Sequence, residues 1–348
     1  MRAVLFDTFG GPLRCETLPD PMPSPHGVVI RVHATGLCRS DWHGWQGHDP
    51  DILEFPHVPG HELAGEVAAV GTQVAGSWRV GDRVTVPFVC ACGACVPCKR
   101  GDGQVCDAQT QPGFTHWGSY AQYVAIHHAD VNLVALPEAM PYATAASLGC
   151  RFATAFRAVV DQGRVREGEW VAVFGCGGVG LSAVMIARAL GARVIAVDVS
   201  ADALTLAGAA GAEFVLNARE HEDVAEVIRA YTNGGVDSAY DALGSAITAK
   251  QALCSLRKNG RHVQIGLLAG HDAEPRLPLH LLIGRELELI GSHGMAAHAY
   301  PRMLDMVASG KLNPGQLITR HISLEEAPLA LATMVSAPHA GVTIIAPA

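Results

Sequence analysis

Residues 170–198 read WVAVFGCGGVGLSAVMIARALGARVIAVD. The 18 residues from Trp170 to Ala187 carry no charge, a length that a hydropathy scan would take for a membrane helix. Four glycines, Gly175, Gly177, Gly178 and Gly180, stand in the middle, and each would weaken a continuous helix by about 1 kcal/mol. A strand, a glycine turn and a helix account for the stretch better. In that setting Gly175-x-Gly177-x-x-Gly180 is the pattern of a dinucleotide site. The first glycine permits the tight turn, the second lets a pyrophosphate approach the backbone, and the third lets helix and strand pack closely. The helix N-terminus offers free N–H groups and a partial positive charge to the phosphates. The next strand, ARVIAVD, ends in Asp198, 18 residues past Gly180. A carboxylate there accepts hydrogen bonds from ribose hydroxyls and repels a 2′-phosphate. Val199, Ser200 and Ala201 supply no arginine to neutralise such a phosphate, so NAD is expected rather than NADP.

Outward from this motif the alternation continues. Strands are expected at Val171–Phe174, Val194–Val197, Phe214–Leu216, Ser238–Asp241, His262–Ile265 and Leu287–Ile290. Helical patterns fall between several of them, at Leu181–Leu190, Asp202–Ala209, Val224–Tyr231 and Ile247–Leu256. Strands joined by crossover helices imply a parallel, doubly wound sheet in an α/β protein. Residues 1 to about 150 read differently, as short β-branched runs such as Val28–Val32, Ala64–Val70 and Arg83–Val86 between Pro and Gly signals. After about 291 the alternation stops, and the tail is expected to fold back onto the first region.

With 348 residues the chain has room for two cores. Its net charge of −8 gives no electrostatic ground for nucleic acid or an anionic membrane as partner. The start, MRAVLFDTFG, lacks the pattern of a secretory signal, and a cytoplasmic location is expected. Ten cysteines in that compartment read as metal ligands or small apolar residues rather than disulfides.

Four of them are grouped. Cys92, Cys95, Cys98 and Cys106 follow C-x2-C-x2-C-x7-C in CGACVPCKRGDGQVC, a spacing that no helix or strand period produces. Four thiolates so close can surround one zinc tetrahedrally, which closes its coordination sphere and makes the site structural. A second metal group is suggested by Cys38, in Cys38-Arg39-Ser40-Asp41-Trp42-His43, and by His61, in Pro59-Gly60-His61-Glu62. His57 and His61 are four apart, but Pro59 and Gly60 between them argue against a shared helical face. From spacing alone the third ligand stays open among Cys15, Cys90, Cys150, Cys176 and Cys254.

These signatures, in this order and over essentially the whole chain, resemble the zinc-dependent medium-chain alcohol dehydrogenases. The likeness includes Gly60-His61-Glu62-x2-Gly65 with Val70 beyond it, the four-cysteine lobe and the glycine fingerprint. It implies a GroES-like, mostly-β catalytic domain from residues 1–151 and 291–348, with the zinc lobe at about 90–108. A Rossmann domain would span 152–290. The resemblance also implies two zincs per chain, the catalytic one held by Cys38, His61 and Cys150 with one position left for substrate. Glu62 and Asp41 would be carboxylates behind the ligands, with Asp41 orienting His61. Ser40 would take the alcohol proton and His43 would pass it to solvent. Arg39 would contact the pyrophosphate, beside a glycine turn that includes Gly178, while Thr154 and Val179 would line the nicotinamide.

Phe88 and Trp117 are candidates for the substrate pocket, which would then suit an apolar or aromatic alcohol better than a polyol. One departure is Ala340-Gly341-Val342, where related enzymes carry an arginine on the pyrophosphate. The expected activity is reversible NAD-linked oxidation of an alcohol, primary or secondary, to an aldehyde or ketone, in a homotetramer, with a dimer as the alternative. Alternatives on the same scaffold are a polyol, amino-alcohol or thiol-adduct dehydrogenase. From another class comes a non-catalytic NAD(H) sensor, which should have lost ligands; none of Cys38, Ser40, His43, His61, Glu62 or Cys150 is missing.

Overall fold

The computed structural model describes residues 1–347. The chain forms two compact units. The first comprises Met1–Ala153, Gly294–Ser309 and the chain from Ile318 on; the second comprises Thr154–His293 and Gly310–Leu317.

The second unit is built on six strands, labelled here in chain order β1 (Trp170–Phe174), β2 (Arg193–Asp198), β3 (Phe214–Asn217), β4 (Val236–Asp241), β5 (Leu256–Gln264) and β6 (Glu288–Gly291). They lie side by side in the order β3-β2-β1-β4-β5-β6, and every pairing is parallel. That is the doubly wound arrangement, whose strand order reverses between β1 and β4. Val171, Ala172, Val173 and Phe174 are all buried, as a strand covered on both faces requires. Helices Gly178–Ala189, Ala201–Ala209, Val224–Tyr231 and Ala246–Cys254 make the crossovers. Three of them start on side-chain caps: Ser200, Asp223 and Ser245 accept from the backbone N–H groups of Ala203, Glu226 and Thr248. The expected helix over 247–256 stops at Cys254, because Leu256 turns into the core and opens β5.

The uncharged stretch at 170–187 is thus shared between a strand and a helix. Among the described residues no helix is long and apolar enough to cross a membrane.

In the first unit Arg2–Leu5 pairs with Arg14–Thr17 in a small antiparallel sheet. A larger sheet runs in the order Ile318–Ser323, Val342–Ala346, Val28–Leu37, Leu63–Val70, Arg83–Thr85, Val134–Ala135, with Tyr123–Ile126 also on Val28–Leu37. The tail strand Val342–Ala346 joins here, antiparallel to Thr35–Leu37. One segment departs from the expected division. Gly310–Leu317 belongs to the second unit, where the turn Pro314–Leu317 packs on helix Gly178–Ala189 and buries Leu312 and Leu317. A few apolar residues in a short tail carry no period that reveals which core they join.

This sheet sets the candidate site. Val28–Leu37 and Leu63–Val70 are antiparallel neighbours with Thr35 opposite Leu63. Cys38 follows the end of one strand and Gly60-His61-Glu62 precede the start of the other, so the two segments meet at one edge.

Candidate metal centres and cofactor site

Cys38, His61, Glu62 and Cys150 bring one ligand atom each to within 4.8 Å of one another. Cys38 stands before the short helix Arg39–Trp45, His61 and Glu62 before a sheet strand, and Cys150 in a π-helical turn, Leu148–Phe152. Such turns are uncommon and recur at functional sites.

Asp41 ties the group together. Its Oδ1 accepts from His61 Nδ1 at 2.8 Å and from the Gly60 N–H at 3.0 Å. Its Oδ2 accepts from the Tyr120 hydroxyl at 2.8 Å and from the Cys38 N–H at 3.1 Å. Asp41 and His61 are both buried. With Nδ1 engaged, His61 presents Nε2 to the two thiols, and that buried nitrogen has no hydrogen-bond partner among the described residues. A buried polar atom without a partner is costly, and an imidazole fixed at one nitrogen and free at the other is how a histidine meets a metal. The donor set, two sulfurs and one imidazole, suits zinc.

The electrostatics agree. Contact with Cys150 pulls the Cys38 thiol well down, and contact with Cys38 together with burial pushes Cys150 well up, so the two thiols resist ionising together without a cation beside them. Glu62 is fully buried, and burial pushes its carboxyl up to about 7 against the opposing pull of Arg151. Arg151 donates to Glu62 Oε1 from its backbone N at 3.0 Å and from Nε at 2.9 Å, and to Oε2 from Nη2.

Around this group, Ser40 Oγ lies 3.8 Å from Cys38 Sγ. His43, on the same helix, has its Nδ1 3.0 Å from that of His48. Burial, Arg39 and His48 together hold His43 below its ordinary value. Arg39 is exposed at the start of the helix. Phe88 is buried with its ring 6.2 Å from that of His61, and Phe114 lies closer, at 5.4 Å, both edge-on. Trp117, the other residue expected in the substrate pocket, is placed by different contacts. Its ring packs with Ala3, Leu5, Val58 and Ala121, and its indole N–H donates to the Pro56 carbonyl at 2.8 Å. An indole beside the amino-terminal strands finds both apolar cover and an acceptor there.

Cys92, Cys95, Cys98 and Cys106 also place their sulfurs within 4.8 Å of one another. Backbone N–H groups of Ala94 and Cys95 donate to Cys92 Sγ, each at 3.4 Å, and those of Cys92 and Ala108 to Cys106 Sγ, each at 3.3 Å. The bonds from Ala94 and Cys95 bring Cys92 down to about 6, while burial and the neighbouring thiols push Cys98 up to about 12. Thiols crowded in this way cannot all ionise without a cation among them.

In the second unit Gly175 has φ +89, a conformation that glycine adopts freely. A β-carbon at Gly180 would overlap the Gly175 carbonyl oxygen, so helix and turn meet there only through glycine. Gly177, exposed, caps helix Gly178–Ala189, and a β-carbon on it would meet nothing within 4 Å among the described residues. That open space beside a helix N-terminus fits a pyrophosphate. Asp198 closes β2, with Oδ2 on the Cys176 N–H at 2.6 Å and Oδ1 on the N–H groups of Val199 and Ser200. Val179 is half-buried on the first turn of the helix, and Thr154 is buried with Oγ1 unpartnered among the described residues.

Arg151, Tyr120, Phe114 and His48 were not among the expected site residues. None lies in a spacing motif, and each reaches the group only through the fold.

Two family descriptions match this chain: "Alcohol dehydrogenase GroES-like domain" at residues 24–138 and "Zinc-binding dehydrogenase" at residues 178–309. An alcohol dehydrogenase of Rhizobium meliloti (strain 1021) is 35% identical over 90% of this chain and 89% of its own. An NAD-dependent alcohol dehydrogenase of Sulfurisphaera tokodaii is 32% identical over the full length of both chains. Among solved structures, an alcohol dehydrogenase from Thermus sp. ATN1 superposes with a TM-score of 0.90 at 31% identity, covering 99% of each chain. With the folds of both units and the two groups of ligands in view, the chain belongs to the zinc-dependent, medium-chain alcohol dehydrogenase family.

Proposed function

We propose that this protein is an NAD-dependent alcohol dehydrogenase with two zinc ions per chain, interconverting an apolar or aromatic alcohol and its aldehyde or ketone. The observation that carries the reading is His61: buried, held by Asp41 through Nδ1, with Nε2 unpartnered among the described residues beside the thiols of Cys38 and Cys150. Those three residues would hold the catalytic ion, and Cys92, Cys95, Cys98 and Cys106 the structural one. When bound, zinc supplies Lewis acidity toward the substrate oxygen and NAD supplies the hydride acceptor.

The chain's own residues do the rest. Asp41 fixes the His61 tautomer and raises its basicity. Ser40 Oγ, beside Cys38, takes the substrate hydroxyl proton. His43, held below its ordinary value, is neutral near pH 7 and accepts that proton on its way to solvent. Phe88 and Phe114 give the His61 surroundings an apolar lining, which favours a carbon-rich alcohol. The Gly175–Gly180 turn cradles the pyrophosphate, Asp198 selects the unphosphorylated ribose, and Thr154 and Val179 line the nicotinamide.

The exposed Leu289 on the edge strand β6, together with Leu279 and Ile283 exposed in the segment leading to it, supports association of copies, which we take to be a homotetramer. Ten free thiols suit a reducing, cytoplasmic setting. A steady-state panel of primary, secondary and aromatic alcohols, run with NAD and with NADP, tests the activity. Alcohol-dependent NADH formation is expected; tighter binding of NADPH than of NADH would overturn the cofactor assignment.

A further inference from the structure

We propose that Arg151 is a positioning residue: it holds the Glu62 carboxylate away from the catalytic metal and so keeps one coordination position free. This rests on the reading of Cys38, His61 and Cys150 as metal ligands. Four potential donors, not three, converge here, because a Glu62 oxygen lies within the same 4.8 Å as the two sulfurs and the imidazole nitrogen. Four protein ligands would close the sphere as in a structural site, whereas a catalytic site needs an opening. What distinguishes Glu62 from the other three is that both its oxygens are already taken.

Oε1 receives the Arg151 backbone N–H and Nε–H, and Oε2 receives Nη2. The remaining arm, Nη1, donates to the Leu37 carbonyl at 3.1 Å, directly before Cys38. Arg151 thus grips the carboxylate from a residue adjacent to one ligand and braces against the residue before another. Cys150 and Arg151 are consecutive on the π-helical turn Leu148–Phe152, and both side chains reach the same group. Gly36 makes room for the pair, since a β-carbon there would overlap Glu62 Oε2 and crowd Arg151 Nη2.

Charge gives the clamp its force. Two thiolates balance a divalent cation, which leaves two buried carboxylates: Asp41 is held by four hydrogen bonds, and the charge of Glu62 is the one Arg151 cancels. With the guanidinium removed, the metal is the nearest cation left to the carboxylate, and above the pH at which Glu62 takes up a proton the buried anion turns to it.

The test uses the full-length protein with cobalt(II) in place of zinc, and imidazole as an added ligand. The visible cobalt bands report coordination independently of turnover, and only an open site changes them when imidazole is added. Wild type is expected to bind imidazole. Arg151→Met should weaken that binding by about tenfold or more and slow cobalt loss to a chelator. The double variant Arg151→Met with Glu62→Gln, which removes the competing anion as well, should recover imidazole binding. Should the methionine variant fail to fold, Arg151→Lys, which keeps the charge but cannot hold both oxygens, should show the same weakening to a smaller degree. Wild-type imidazole affinity in Arg151→Met or Arg151→Lys, or no recovery in the double variant, would overturn the clamp. Imidazole-insensitive bands in wild type would instead overturn the open metal site on which the proposal rests.

Discussion

Asp41 is the residue whose loss the structure prices most directly. Its carboxylate is buried and accepts four hydrogen bonds, from the N–H groups of Cys38 and Gly60, from His61 Nδ1 and from the Tyr120 hydroxyl. In Asp41→Asn one oxygen becomes an NH2. The amide fits best with its oxygen toward Gly60 and His61 and its nitrogen toward Tyr120, whose hydroxyl can rotate to accept. The Cys38 N–H then faces another donor. One buried donor left unmet, together with weaker bonds from a neutral acceptor, costs about 2 to 4 kcal/mol. Asp41→Ala strands three donors at about 1 to 3 kcal/mol each, Tyr120 keeping the Gly36 carbonyl at 3.3 Å, and the sum approaches the whole stability of an ordinary domain. His61 also loses its anionic partner, so zinc affinity should fall by about 10- to 100-fold. Urea unfolding of the zinc-loaded asparagine variant, with zinc competition against a chromophoric chelator, measures both effects. Unfolding within about 1 kcal/mol of wild type together with unchanged zinc affinity would refute the role assigned to Asp41.

Three further outcomes follow from the geometry. Cys95→Ala should lose one of two zincs and unfold at lower temperature, while alcohol turnover per folded chain stays near wild type; metal analysis with thermal melts and rates separates these. Gly180→Ala puts a β-carbon onto the Gly175 carbonyl oxygen, so the turn must open and NADH affinity should fall by about tenfold or more, read by fluorescence titration. Burial, helped by His127, brings His116 down to about 4 from 6.5, so between these values the unfolded chain binds a proton that the folded chain does not. Stability therefore falls as pH drops through that window, by up to about 3 kcal/mol from this residue. Replacing His116 with Gln should flatten the dependence of unfolding free energy on pH, and an unchanged slope would rule the residue out.

What could be read in the chain, and what could not, divides along physical lines. The glycine turn, the flanking apolar strands and Asp198 are local in sequence, so their periods and spacing describe the second unit's parallel sheet closely. The four cysteines at 92–106 are local too, and their spacing alone suggests a closed site. The other metal group is scattered, and the pairing of Val28–Leu37 with Leu63–Val70 is what brings Cys38 beside His61. Arg151 meets Glu62 across 89 residues and Tyr120 meets Asp41 across 79, with no period or motif to announce either. Trp117 is a further case: its packing against Ala3 and Leu5 is decided by a strand more than a hundred residues away, which its own neighbours in sequence do not announce.

If Cys38, His61 and Cys150 form an open catalytic metal site served by NAD, replacing Cys38 with Ala removes one ligand of that site and leaves the glycine turn of the second unit intact. Zinc content, NADH affinity and alcohol turnover would be measured on the same preparation. Turnover is expected to be abolished and one zinc lost or loosened, with NADH binding close to wild type. Retained turnover with zinc content unchanged would contradict that site.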